Sequence, residues 1–584
     1  MPGSRDHPVH LYKAWFFWTE LLSHGQLRGW SDYWFFGYPA GDLYPIGAEA
    51  WVAMVRALTL GLLSWEATYG LALVAAYAFV GGGVYAAVRA LAGAPAAAVA
   101  CALWMLDPGW NWQGGWTYFA HWGVWSQSLA LGFFLFGVAA LQGGRSTRAG
   151  IWMGLGLMVH PANLIVMGFA LPLLAIARAA TGSPMMTRSL ADAGALGGLL
   201  AAWWLAPMIA RSGWTTDIGN VWAPLGELLR RLATGELFKA TPPAAAWLAV
   251  LGAALGVRRR HTGAVFLALF AAAWLIFAGE ETGAFLQERV SETFSRIQYK
   301  RMSVPLKLGL FGLAGYAAGE AWALGRARGW GPSGGLVGVA LVGLFGWAWW
   351  GARSELSLQP RRAERGEIYT ALLEWTAREQ ATSPRFSIAW DATVHDHWLM
   401  DAPIYNQTPI YKVGYTPAKL YRHSPSVVGQ GLYEAAGVKY VVSREPQHRP
   451  WLTFERRFGT LKVYRFTRYR SRRWTLEGPG EVEEIAFERE RVEMRLTGTT
   501  PESRLILHRG AFPRWRARVN GEEVPITTGK TWPNPRELLM TIPVSDGEVV
   551  FDYIWRREEW IGFVLTLAGL GAAGWSLRRA GRPA

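Results

Sequence analysis

The sequence predicts a mostly α polytopic membrane protein with about eleven spans and an extracytoplasmic α/β domain ending in a β-sandwich-like module. Three observations predict it. Of 584 residues, 51% are hydrophobic and only 17% charged, yet residues 352–557 read like a soluble protein while 66–350 are rich in Ala, Gly, Leu and Trp. The 34 Trp suit membrane–water interfaces, where an indole is half wet and half apolar. The arginines fall into short clusters on alternate loops.

Apolar stretches mark spans at 66–88, 94–107, 122–142, 149–160, 162–179, 190–208, 244–257, 262–279, 303–324, 334–350 and 559–577. A full crossing needs about 20 apolar residues, so 94–107, 149–160 and 244–257 read as tilted, broken or re-entrant. One set of loops carries Arg89, Arg145 and Arg148, Arg178 and Arg188, Arg258 to Arg260, Arg326 and Arg328, and the tail Arg578, Arg579 and Arg582. The other set holds the loop 107–121, which lacks Lys and Arg, the His160–Pro161 turn, the longer loops 209–243 and 280–302, and the soluble region. Short loops rich in Lys and Arg stay cytoplasmic. Residues 1–65 and 352–557 are therefore expected outside, 66–351 in the helical bundle, and 558–584 in a last span with a cytoplasmic tail.

Within the first segment, Pro8 suits a helix start and Gly25 its stop. Leu11, Trp15, Trp18 and Leu22 form an apolar stripe, with His10, Lys13, Glu20 and His24 mainly opposite, as in an interfacial helix. Residues 46–64, containing Glu49 and Arg56, read either as a second interfacial helix or as a polar-lined helix inside the protein. In the outer region GEIYTALLEWTAREQ reads as helix, and GVKYVVS, TLKVYRF and the alternation Val492, Met494, Leu496 as strands. WRARVNGEEVPI reads as a hairpin, because Asn520–Gly521 suits a tight primed turn. Val549, Phe551, Tyr553 and Trp555 alternate ahead of the last span.

DHPVHLYKAWFFWTELLSHGQLRGWSDYWFFGYPAGDLYP, with Gly37-Tyr38-Pro39 and Tyr44-Pro45, resembles the first outer loop of GT-C-type membrane glycosyltransferases, above all the membrane proteins labelled pyruvoyl-tetrahydropterin-synthase-related. The tail, FPRWRARVNGEEVPI through VVFDYIW, and the GVKYVVS segment are similar to YfhO-type membrane proteins. GT-C enzymes usually carry a transmembrane helix ahead of the early acid, where this sequence has five residues. The resemblance implies inverting transfer of a sugar from a polyprenyl-phosphate donor to a glycan, polymer or protein acceptor, at a bacterial cytoplasmic (inner) membrane. It makes Asp6 the catalytic acid, as base or as ligand of a divalent metal such as Mg or Mn, with His7 and His10 in support.

Position alone singles out other candidates. Asp107, His121 and His160 map to outer ends of spans, where ionisable groups invite a functional reading. Asp107–Pro108 is equally a helix end and His160–Pro161 a turn. Arg296, Lys300 and Arg301 precede a span on the outer side, either as phosphate contacts or as lipid-headgroup anchors. Glu280 and Glu281 form an acidic pair in a loop. The formal charge of +15 is distributed by topology, so nucleic acid is not an expected partner. The lone Cys101 excludes an intrachain disulfide and a zinc–cysteine cluster. No P-loop, Rossmann fingerprint or nucleophile elbow is present. The rival reading is a non-catalytic transporter or envelope-polymer scaffold. A transporter should show matching interrupted helices in two halves, and no such symmetry is visible.

Overall fold

The computed structural model describes residues 6–110, 112–215, 219–238, 241–328, 367–383, 385–394, 400–412, 421, 428–528 and 539–580. Apolar stretches without internal polar groups form helices because each backbone amide then finds its partner within the segment. Every expected span among the described residues is helical, and the stretch 334–350 lies outside them. Five of these helices are long and apolar enough to cross a membrane: Trp65–Ala92, Trp125–Gln142, Ala162–Ala180, Thr187–Ala210 and the last helix up to Arg579. Ala94–Leu106, Pro243–Arg258 and Thr262–Ala278 are shorter apolar helices. Against the sequence count of eleven, the described residues thus hold five helices that are both long and apolar enough to cross, with shorter apolar helices and the 25-residue helix Ser303–Ala327 beside them.

The last helix, Arg557–Ala580, packs along Thr187–Ala210, where Thr566 Oγ1 accepts from the Trp203 amide (2.9 Å). Its other side exposes Val564, Leu567, Leu570 and Trp575, a face suited to lipid.

The C-terminal region is β-rich. A mixed five-stranded sheet has the order Ile410–Lys412, Ser387–Trp390, Val438–Ser443, Leu461–Phe466, Leu452–Phe458. Its first three strands run parallel and the last two antiparallel. The helix Glu367–Thr382 covers it, with the Trp375 ring 4.7 Å from that of Tyr440. Two antiparallel sheets follow, of five and three strands. In the larger, Gly547–Tyr553 lies between Trp515–Val519 and Arg491–Thr497. Asn520 and Gly521 take φ of 53° and 87°, the primed turn that the hairpin requires. Val549, Phe551 and Tyr553 are buried as the alternation predicts, but so are Val550 and Asp552. Trp555 lies past the strand and instead stacks near Trp560 and Phe563 of the last helix.

Residues 6–60 join the helical bundle to the β-rich region. Their helix, His7–Phe16, continues through a π-turn at Phe17–Leu21 and a 3₁₀ turn at Leu22–His24, and ends at Gly25 with φ of 67°. It is buried on both sides. Val9, Tyr12 and Phe16 pack into the core of the β-rich region, while Leu11 and Ala14 pack with Tyr69 and Trp125 of the bundle. His10, expected on an open polar face, is buried. Downstream, Gly29–Ser31 pairs with Tyr38–Ala40, and a side chain at Gly37 (φ 96°) would overlap the Trp30 indole. Only glycine fits there, which explains the Gly-Tyr-Pro turn. Residues 33–35 then extend the mixed sheet, because the amides of Phe35 and Ile410 donate to the carbonyls of Ile410 and Tyr33, each at 2.8 Å.

Candidate functional site

Asp6 opens the first helix but makes no side-chain capping bond to it, so helix capping does not account for this acid. Its backbone amide donates to the Trp122 carbonyl (3.3 Å). Gly123 (φ 77°) lets that turn close on the chain, since a Cβ there would stand 2.9 Å from the His7 amide nitrogen. Trp122 and Gly123, just past the loop 107–121, are thus in direct contact with the start of the first helix.

His7 is fully buried and both ring nitrogens are engaged. Nε2 donates to the Ala120 carbonyl (2.7 Å), so Nδ1 accepts from Tyr69 Oη (2.8 Å), which in turn accepts from Trp125 Nε1 (2.8 Å). Burial pushes its pKa down to about 4 against the raising effect of the Ala120 bond, so the ring is neutral. His7 therefore positions the strand of chain beneath Asp6 and has no nitrogen left for a metal or phosphate.

His10 differs. Among the described residues its Nδ1 is buried with no hydrogen-bond partner. Its ring meets Trp125 edge-on at 5.6 Å, and Lys13, His160 and Arg301 act on it electrostatically after burial itself, all holding its pKa well below the usual range. The structure thus brings His10, His160 and Arg301 together from three distant stretches. His160 Nδ1 accepts from the Ala162 amide (3.1 Å), and its ring meets Tyr44 edge-on at 5.5 Å. Arg301 lies 5.0 Å over the Trp112 ring, its Nε unpartnered among the described residues. Tyr44, from the Tyr-Pro pair, also contacts Ser126 Oγ (3.3 Å) and lies under Lys13 Nζ at 5.0 Å.

Beside this cluster a narrow cleft of about 20 Å³, room for about one water, lies between the first helix and the start of Gly47–Leu58. Tyr12, Lys13, Phe16, Tyr38, Tyr44 and Glu49 are among its walls. Sequence reasoning placed Lys13 on a solvent face and assigned Glu49 no role; a carboxylate in an otherwise apolar helix was the available signal.

The remaining candidates have other duties. Asp107 pairs with Lys307 Nζ (2.8 Å), both fully buried, and accepts from Thr241 Oγ1 (2.9 Å). Lys307, missed in the sequence, was detectable as a lone cation within an apolar helix. His121 is exposed. Arg296 donates to the Ser212 carbonyl, and Lys300 is half-buried while its carbonyl accepts from Ser303 Oγ (2.7 Å). Glu281 accepts from the Leu225 amide (2.9 Å) at the start of another helix. Among the described residues no three His, Cys, Asp or Glu converge as a metal site. The engaged atoms of His7 and Asp107 do not fit the divalent metal that the resemblance allows.

No protein-family model matches the chain, and no curated protein matches it by sequence. Solved structures do. A mutant form of the mycobacterial arabinofuranosyltransferase AftD superposes with a TM-score of 0.50 at 15% identity, over 83% of this chain and 41% of that one. ArnT from Cupriavidus metallidurans gives 0.47 at 16% identity, covering 80% of this chain and 93% of its own. The oligosaccharyltransferase AglB from Archaeoglobus fulgidus, solved with an inhibitory peptide and a dolichol-phosphate, gives 0.47 at 13%, covering 76% and 66%. The chain thus spans 41% of that mutant form, 56% of another AftD structure and about two thirds of AglB. The fold is GT-C-like, as the AftD superposition shows.

Proposed function

We propose that the chain is an integral membrane glycosyltransferase that moves a sugar from a polyprenyl-phosphate donor to an acceptor outside the membrane, with inversion. The donor class follows from the family resemblance of the first loop. One observation carries the assignment of the site: Asp6 stands one residue before a helix whose next turns present His10 and Lys13 to Arg301 and Tyr44. Asp6 takes the proton of an acceptor hydroxyl. The oxygen forms the new bond to the anomeric carbon as the carbon–oxygen bond to phosphate breaks, and the leaving polyprenyl phosphate keeps the electron pair. Arg301, assisted by Lys300, stabilises the phosphate charge. The acceptor is a glycan, polymer or protein held near the β-rich region. Residues 1–65 and 352–557 face outside and the arginine-rich loops inside, in keeping with the exposed Arg258–Arg260 turn.

The test is Asp6→Asn, which keeps the shape and removes the base. Supplied with polyprenyl-phosphate sugars and membrane acceptors, the variant should retain its folding and lose about 10²–10⁴ in rate. Full activity in the variant would refute the role of Asp6. Failure of every lipid-linked sugar with the unaltered protein would favour the scaffold reading.

A further inference from the structure

We infer that the β-rich region carries a binding site of its own for a neutral glycosyl unit of the acceptor, in the cavity between the helix Gln430–Ala435 and the three-stranded sheet. The cavity measures about 210 Å³. One water needs only about 10–15 Å³, so this space holds on the order of ten waters, or one small polar ligand. It shares no residue with the Asp6 cluster, and it lies at the seam between the mixed and the three-stranded sheets, a kind of place where ligand pockets concentrate. Calling the ligand an acceptor rests on the glycosyltransferase reading above; the binding itself does not.

Strand pairing builds one wall. Trp474–Glu477 and Arg504–Gly510 run antiparallel, with Thr475 opposite Ile506. Side chains two apart share a face, so Thr475 and Glu477 stand with Ile506 and His508 towards the cavity, while Leu505 and Leu507 turn into the core. Leu539 of the third strand completes this wall, and Glu434 and Ala435 of the helix face it. The rim is the crossover from the mixed sheet, residues 467–473, where Arg470 and Arg472 line the opening. Arg473 pins that crossover. Its guanidinium donates to the Ala436 carbonyl and to Ser387 Oγ (3.0 Å), and a Cβ at Gly437 (φ 60°) would stand 2.9 Å from its Cζ.

The polar groups differ in kind. Glu434 and Glu477 offer acceptors, Arg470 and Arg472 offer donors, and Thr475 offers either. Arg470 pairs with Glu434 at 3.2 Å, both partly exposed, a contact that stabilises the fold little. Arg472 lies over the Trp474 ring at 5.2 Å and has no carboxylate partner among the described residues, so its donors are held in place yet free. Thr475 Oγ1 and His508 Nε2 are 3.0 Å apart. Burial first, then the charges of Arg473 and Arg472, push the His508 pKa down to about 3, so that ring is neutral. Two guanidinium groups and two carboxylates cancel across the walls, which disfavours a strongly charged ligand. Ile506, Leu539 and Ala435 form an apolar floor. A sugar ring has the matching make-up: hydroxyls that donate and accept around its edge, and C–H groups on its face. The plain alternative is a crevice filled by water. Water satisfies the rim but leaves the floor wetted, whereas a ring laid on the floor removes that contact.

The experiment reads binding without turnover. The full chain in nanodiscs is titrated, with saturation-transfer NMR as readout, against the methyl glycosides of glucose, galactose, mannose and arabinofuranose. Methyl glucuronide is the charged analogue, and inorganic phosphate is added as a competitor. The unaltered protein should bind at least one neutral glycoside, more tightly than the glucuronide. Arg472→Gln should lose roughly 10- to 100-fold for it, as expected when a hydrogen bond to a charged group goes. Arg472 is exposed, so the unfolding temperature of that variant should not move. Glu434→Gln leaves one positive charge in excess, and should weaken the neutral glycoside while strengthening the glucuronide. Failure of every glycoside to bind leaves a water-filled crevice and overturns the site. Affinity unchanged in both variants places the sugar elsewhere and overturns it as well. Preference for the glucuronide, or displacement of the neutral sugar by phosphate, overturns the neutral class. Glycoside binding by a protein that transfers nothing from any lipid-linked sugar supports the site and overturns only its role for an acceptor.

Discussion

Asp42→Asn should loosen the β-rich region from the bundle. Asp42 accepts from Tyr553 Oη (2.8 Å) and Arg514 Nη1 (3.0 Å), and lies 3.7 and 3.9 Å from Arg28 and Arg211. Glu559 of the last helix shares Arg211, with Nη2 to Oε2 at 2.8 Å, and Arg28 at 3.8 Å. Three guanidinium groups thus face two fully buried carboxylates, with the half-exposed Glu558 at the edge of Arg211. Asparagine keeps the volume but leaves the three cations to Glu559. Removing one partner of a buried ion network costs about 3–5 kcal/mol, because the other charges stay desolvated. At roughly 2–4 °C per kcal/mol for a unit of 150–250 residues, unfolding of the β-rich region should fall by about 6–20 °C. Thermal scans of the detergent-solubilised protein, at one scan rate, with proteolysis reporting release of the region, measure this. Adding Arg514→Met to the variant removes one excess cation and should restore part of the loss. A shift under 2 °C for Asp42→Asn, or a further loss in the double variant, would refute the reasoning.

Stability should also fall in mild acid through His7. Its folded pKa of about 4 lies below the ordinary 6.5, so the unfolded chain binds more protons between those values. Stability is full above pH 6.5 and declines toward pH 4, by about 3 kcal/mol from this group. His7→Phe should flatten that slope at a lower overall stability, and an unchanged slope in chemical denaturation would count against the neutral-ring assignment. For topology, single cysteines introduced into a Cys101→Ser background should label from outside within 352–557 and be protected at 258–260. The reverse pattern would invert the orientation.

Local order was legible because it is written in local periods. The apolar runs became helices, the alternation Val492, Met494, Leu496 became a strand, and Asn520–Gly521 became its turn, each decided by side chains within a few residues. Period says which face is buried, however, and not what covers it. The first helix looked like one lying on a membrane because its stripe is apolar; only the fold sets Tyr12 and Phe16 against the β-rich core and buries His10 on its polar face as well. The same holds for charge. Sequence marks Asp107 as an ionisable group at a span end and His7 as a support to Asp6, while tertiary contacts with Lys307, Tyr69 and the Ala120 carbonyl occupy them. Conversely, Glu49 and Lys13 carry no motif and become notable only where folding buries a carboxylate oxygen without a donor. Composition and periodicity determine the helices and strands, since these depend on transfer of each segment out of water. Which charges meet, across separations such as that between Asp42 and Arg514, is decided by chain paths that no local pattern encodes.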